Sequence, residues 1–389
     1  MLGYGKRSAQ PYLATKKHNV KSMVGLFVFS LIISWFASLL LIVNLRAHAR
    51  VYSADSVQRF HKGHIPRLGG VAVTASSLMG WVAMSTFPSL GIYLNAFISL
   101  DAVCAFLLML LPATLAGTYE DCTQRLSVRW RMVFAGLSAV LGCALLGLAV
   151  PRLGIGFVDA TWSAYPLLGI ALAWVALAGL PHAFNIIDGF NGLAGTVAIM
   201  ICAALVHVAL QLGDRQLAGV LVCVMGASAG FLFWNYPRSL IFAGDGGAYF
   251  WGLVIAASSI SLVQRHSEVS PWFPMLLVIY PVWETLFSIY RKLVRGQSPG
   301  VADALHFHQL IYRRIVRQVF HDDASRRMLM RNNRTSPYLW GFTLLSVIPA
   351  VLFWRNTPVL MAFCGLFVVT YVLAYLSIIR FKVPLWLQR

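Results

Sequence analysis

Two acids in succession, Glu120 and Asp121, close an apolar stretch in GTYEDCTQRLSVRWR. Like charges held so close raise the pKa of one partner. That is one route to a general base, or to a carboxylate kept available for a metal. A third acid, Asp188, lies in NIIDGFNGL (185–193), where Gly189 and Gly192 allow a turn that brings backbone and ligand together. A helix is expected to begin near Asn191, with free N–H groups to offer an anion. A fourth, Asp245, stands between glycines in IFAGDGG, again just before an expected helix. Two histidine-bearing segments complete the set: HKGHIPRLGG (61–70) and DALHFHQLIYRR (303–314). Taken singly, each has an ordinary explanation as a solvated loop charge, a turn or a headgroup contact. Taken together, carboxylates beside His, Lys and Arg suit phosphate chemistry. A hard cation such as magnesium fits as well, typically held by one or two carboxylates plus substrate phosphates.

The elements that must position these residues are membrane helices. Of 389 residues, 59% are apolar and only 11% charged, against roughly 25% charged in soluble domains. Mean hydropathy is +0.72. An ordinary cytosolic enzyme, a disordered chain and a coiled coil are excluded. The net charge of +18 does not mean nucleic-acid binding in so apolar a chain; it is expected to face anionic headgroups or an anionic substrate.

Runs long enough to span the hydrocarbon core occur at 24–45, 68–87, 95–116, 131–150, 163–181, 192–212, 216–233, 247–263, 272–293, 337–354 and 358–379. The expectation is an all-α polytopic integral membrane protein with 10–11 transmembrane helices. A basic tail (1–23) precedes a single transmembrane catalytic domain (24–379), and a C-terminal tail (380–389) follows. The first run is too long for a signal-peptide core and reads as a retained anchor. Six scattered cysteines form neither a disulfide framework nor a zinc pattern. Of the 31 Lys and Arg, 22 fall in or beside the loops that carry the acidic segments, which places that face in the cytoplasm. Five of the other nine lie in the N-terminal tail, against the rule.

In their order and spacing, these segments resemble the polyprenyl-phosphate N-acetylhexosamine-1-phosphate transferases, the membrane family that contains phospho-N-acetylmuramoyl-pentapeptide transferase. The resemblance covers roughly residues 24–379. HKGHIPRLGG is similar to the family's first cytoplasmic motif, and GTYEDCTQRLS to its acidic pair. NIIDGFNGL is similar to its Asn-x-x-Asp-Gly segment, NYPRSLIFAGDGG to its Phe-x-Gly-Asp segment, and DALHFHQL to the His-rich motif of the sugar-nucleotide branch. Three positions depart from the pattern: Glu120 replaces an Asp, Gln309 replaces a His, and Arg238 stands where a small residue is common.

The resemblance implies transfer of an N-acetylhexosamine-1-phosphate from a UDP-sugar to undecaprenyl phosphate, releasing UMP and priming cell-surface polysaccharide synthesis. It implies Mg2+, with Mn2+ as a substitute, on Asp245. Glu120 and Asp121 take the part of base or nucleophile, and Asp188 and Asn191 sit near nucleotide or metal. Asn185 and Asn235 give hydrogen-bonding support. His306, His308 and Arg313 face the donor, and His61 and Lys62 a lipid phosphate. The implied setting is the bacterial inner membrane with the site facing the cytoplasm. Its partners are the bilayer, the polyprenyl phosphate, the UDP-N-acetylhexosamine and a second copy in a homodimer, with no nucleic acid. A transporter or flippase for a lipid-linked or anionic solute is the rival. It needs ionisable groups at midspan, where Asp101 and Glu284 are the only candidates.

Overall fold

Backbone N–H and C=O groups in a bilayer must be satisfied within the chain, and here helices satisfy them. The computed structural model describes residues 9–45, 65–86, 98–298, 305–317 and 321–380, and no strand occurs among them. In chain order the helices are α1 (Ala9–Leu45), α2 (Gly69–Thr86), α3 (Leu100–Thr123), α4 (Val128–Leu145), α5 (Gly156–Ala164), α6 (Pro166–Ile187) and α7 (Leu193–Gln211). There follow α8 (Arg215–Asn235), α9 (Gly244–Arg265), α10 (Trp272–Leu277), α11 (Ile279–Val294), α12 (Phe307–Leu310), α13 (Ala324–Leu352) and α14 (Thr357–Ile379).

Nine of the described helices are long and apolar enough to cross a membrane, so the chain is a polytopic all-α membrane protein. Two of the eleven expected spans fall outside the nine, and each has a physical reason. α2 is a continuous helix of 18 residues, diluted by Gly, Ser and Thr. The run 272–293 is broken at Val278 into α10 and α11. Pro281 lacks an N–H to return to the preceding turn, so the helix restarts there. Two further differences matter for function. α3 does not stop at 116 but continues through Glu120 and Asp121. α13 begins at Ala324, and its 29 residues reach about 43 Å, beyond the bilayer core.

α9 is the axle of the bundle. Nearly every residue from Gly246 to Val263 is buried, and α2, α3 and α6 pack around it. Small residues let these backbones touch, as packing in lipid favours. A Cβ on Gly70 would lie 2.1 Å from the amide nitrogen of Gly247, and one on Gly117 2.6 Å from that of Gly246. The starts of α2 and α9 and the end of α3 are thereby drawn to one point, at one end of the bundle.

Candidate active site

Helix ends hold the site together. Asp121, one turn beyond Gly117 on α3, accepts hydrogen bonds from the backbone N–H groups of Asp245 (2.9 Å) and Gly246 (3.0 Å). It thereby caps the positive N-terminus of α9. The start of α2 joins the same point: Gly69 and Gly70 donate to the carbonyls of Phe242 and Ala243, and Phe242 donates to that of Pro66. Glu120, half-buried, accepts from the Leu126 N–H at 2.7 Å and fixes the turn into α4. From α4, Arg131 reaches back to Asp245 at 2.7 Å.

Around this junction lies a cleft of about 470 Å³. All five sequence segments contribute to its walls. Arg67 comes from the first; Glu120 and Asp121 from the second; Asn185, Asp188 and Gly189 from the third. Gly244 and Asp245 come from the fourth, His306 and His308 from the fifth. Asp188 sits at the C-terminus of α6. Burial first, then the adjacent Asp245, push its carboxyl up to about 7, while Arg67 and a backbone hydrogen bond from Gly244 oppose the shift. The His306 and His308 rings stack, with centroids 5.3 Å apart. His308 also meets the edge of Phe190. Gly189 lets this happen, since a Cβ there would come within 3.0 Å of His308 Nε2.

Three expected site residues are not brought to the cleft. Asn191 is fully buried: its N–H donates to Asn332 Oδ1 and its side-chain amide to Asn333 Oδ1. The helix expected near it starts two residues later, at Leu193, behind Gly192 in the left-handed region. Asn235 accepts from the Gly192 N–H and donates to the Ile241 carbonyl, tying the third segment to the fourth. Arg313 is exposed on the π-helical turn Ile311–Ile315 and does not line the cleft. His61 and Lys62 lie outside the described residues, as does Asp303.

Sequence reasoning passed over two charged cleft residues, Arg67 and Arg131, because basic residues at helix ends also serve headgroups. It also passed over the middle of α13. There Asn332 and Asn333 hold Asn191, Ser336 donates to the Asn191 carbonyl, and Trp340 donates to that of Gly192. The paired asparagines in RNNRTSP were the available signal.

Among the described residues, no three His, Cys, Asp or Glu side chains form a ready-made metal cage. The donor set nevertheless fits a hard divalent cation. Asp188 and Asp245 are oxygen donors close enough that the charge of Asp245 raises the proton affinity of Asp188, and such a cation takes its remaining ligands from substrate phosphates and water. Asp121, with both oxygens committed to backbone N–H groups, is the cap beneath them.

Residues 103–263 match the model of glycosyl transferase family 4. The chain is 27% identical over 260 residues to a probable undecaprenyl-phosphate N-acetylglucosaminyl 1-phosphate transferase of Bacillus subtilis (strain 168), covering 65% of this chain and 67% of the relative. It is 25% identical to the decaprenyl-phosphate N-acetylglucosaminephosphotransferase of Mycobacterium leprae (strain TN), over 74% of this chain and 78% of the relative. It is 24% identical to the undecaprenyl-phosphate alpha-N-acetylglucosaminyl 1-phosphate transferase of Escherichia coli (strain K12), over 75% and 76%.

Proposed function

Since the chain belongs to the polyprenyl-phosphate hexosamine-1-phosphate transferases of glycosyl transferase family 4, we propose that its cleft moves an N-acetylhexosamine-1-phosphate from a UDP-sugar to undecaprenyl phosphate. UMP is the leaving group. The observation that carries this reading is the meeting of five distant segments, with acids and bases in one cleft at a helix-bundle end. A water-soluble diphosphate and a lipid phosphate can meet only at such an interface. The basic bias of the surrounding loops favours the cytoplasmic face of the bacterial inner membrane.

Asp188 and Asp245 would hold magnesium together with the donor's diphosphate. When bound, that ion neutralises phosphate charge and improves the leaving group, the Lewis-acid contribution. Arg131 and Arg67 add fixed positive charge, so that two anionic substrates approach with less repulsion. Asp121 keeps the α9 N-terminus, and with it Asp245, in place. Glu120 is the acid of the pair with an oxygen left for the acceptor, because among the described residues its backbone hydrogen bond, from Leu126, engages Oε2 alone. His306 and His308 present imidazole edges to the donor phosphates or sugar. Asn185, which lines the cleft, orients the nucleotide side.

A second cavity of about 510 Å³ fits the isoprenoid tail. It is almost wholly apolar, walled by α6, α9 and the broken α10–α11 pair. Its α6 face runs from Leu172 to Ala183, ending about 7 Å short of Asp188 along the helix axis. The tail would thus lie in lipid-like surroundings with its phosphate at the cleft.

The transporter reading loses its midspan acids. Asp101 is exposed in the first turn of α3, and Glu284 is wholly buried in hydrogen bonds to protein groups. The test is purified protein in detergent with polyprenyl phosphate and a panel of UDP-N-acetylhexosamines, with and without magnesium. Metal-dependent UMP release with formation of a lipid diphosphosugar is expected. Silence with every donor would sink the reading.

A further inference from the structure

Glu284 is an acid with no solvent exposure on α11, in a segment that reads as membrane-embedded. Such a group is expensive in lipid surroundings and calls for a function and a partner. Its carboxylate accepts three hydrogen bonds: from Phe307 N–H (3.1 Å) and His306 Nδ1 (3.0 Å) on Oε1, and from Tyr371 O–H (2.8 Å) on Oε2. None comes from α11 itself.

The shared oxygen decides the tautomer. A backbone N–H can only donate, so Phe307 makes Oε1 an acceptor. As a carboxylate, Glu284 has no proton to give, so the short His306 contact to the same oxygen places the proton on Nδ1. The ring's other nitrogen, Nε2, is left for the cleft that His306 lines. Two turns along the same face of α11, the Arg291 guanidinium donates to the Leu305 carbonyl and to the Tyr375 hydroxyl. Tyr375 in turn donates to Leu305. One face of α11 and the Tyr371–Tyr375 pair of α14 therefore clamp residues 305–307 from below. His308 is set through its stacking on His306.

We propose that Glu284 is a positioning residue: it locks His306 in the Nδ1–H tautomer and aims Nε2 at the sugar-nucleotide donor. It touches no substrate and acts through the imidazole, as carboxylates do behind metal-ligating histidines. The assignment to the donor rests on the function proposed above; the tautomer does not.

Two measurements test it. In wild-type protein labelled with 15N-histidine, with the His306 signal assigned by its loss in His306→Gln, Nδ1 is expected to be protonated. A His306 signal with bare Nδ1 overturns the proposal, and that readout is made on the wild-type protein. In Glu284→Gln, which keeps the size but not the charge, the KM for UDP-GlcNAc is expected to rise at least tenfold. The KM for polyprenyl phosphate should stay within twofold of wild type. A donor KM within twofold, or both KM values rising together, overturns the proposal. If wild-type protein released no UMP at all, the transferase reading would fail, while the tautomer would still stand or fall by its spectrum.

Discussion

Burial and the neighbouring Asp245 push the Asp188 carboxyl up to about 7, so it trades its proton near neutral pH. A carboxyl whose folded pKa is raised holds its proton more tightly folded than unfolded. Stability then falls as pH rises from about 4 to about 7, by up to roughly 1.4 kcal/mol per pH unit, and levels off above. Metal-free wild-type protein should accordingly lose melting temperature across that window in detergent. Asp188→Asn should flatten the decline, melt higher at pH 8, and still be inactive. Equal slopes in the two proteins would refute the assignment. Asp245→Ala should cut UMP release at least a hundredfold while leaving the bundle folded, since it removes the acid paired with Arg131. At Gly244 the backbone has φ +72°, and a Cβ would lie 2.4 Å from Asp121 Oδ2 and 2.2 Å from the Arg67 carbonyl. Gly244→Ala should therefore cost about 1–3 kcal/mol and lower turnover, read by thermal melting and UMP release in parallel.

At the scale of elements, the extension of α13 reaches the site from outside the five sequence segments. Asn332 accepts the buried Asn191 N–H, and Arg331 covers the Tyr312 ring while donating to the Val316 and Tyr312 carbonyls. Asn332→Ala strands that N–H, a loss of about 1–3 kcal/mol. The turn carrying Asp188 should loosen, and kcat should fall without loss of the spans, as judged by unchanged helical circular dichroism. Where the spans lie was legible in the sequence, because about 20 apolar residues leave little choice in lipid. The acids of the cleft were legible too, being rare in such a chain. What escaped was pairing over distance. Nothing in RNNRTSP announces Asn191 as its partner, nothing in PVWETLF announces His306, and Arg131 looks like any headgroup arginine. Asn191 and Asn235 sit in the right segments, yet their side chains point into the scaffold, because spacing alone does not tell which face of a turn a residue occupies.

For the molecule as a whole, two cavities of different chemistry share α6. One is charged, at the end of the bundle; the other is apolar and runs along the helix toward it. That arrangement suits a substrate with a phosphate head and a hydrocarbon tail. Gly179 lines the apolar cavity with open space where its Cβ would be, so Gly179→Leu should fill the groove without strain. The KM for polyprenyl phosphate should rise several-fold and that for the UDP-sugar stay put; the opposite pattern would place the tail elsewhere. The central claim is that Asp188, Asp245 and His306 surround one nucleotide. An experimental structure with UDP-GlcNAc and manganese, the metal located by its anomalous signal, tests this most directly. The expected result is metal between Asp188 and Asp245 with the diphosphate reaching toward His306. Metal and nucleotide bound outside that cleft would contradict it.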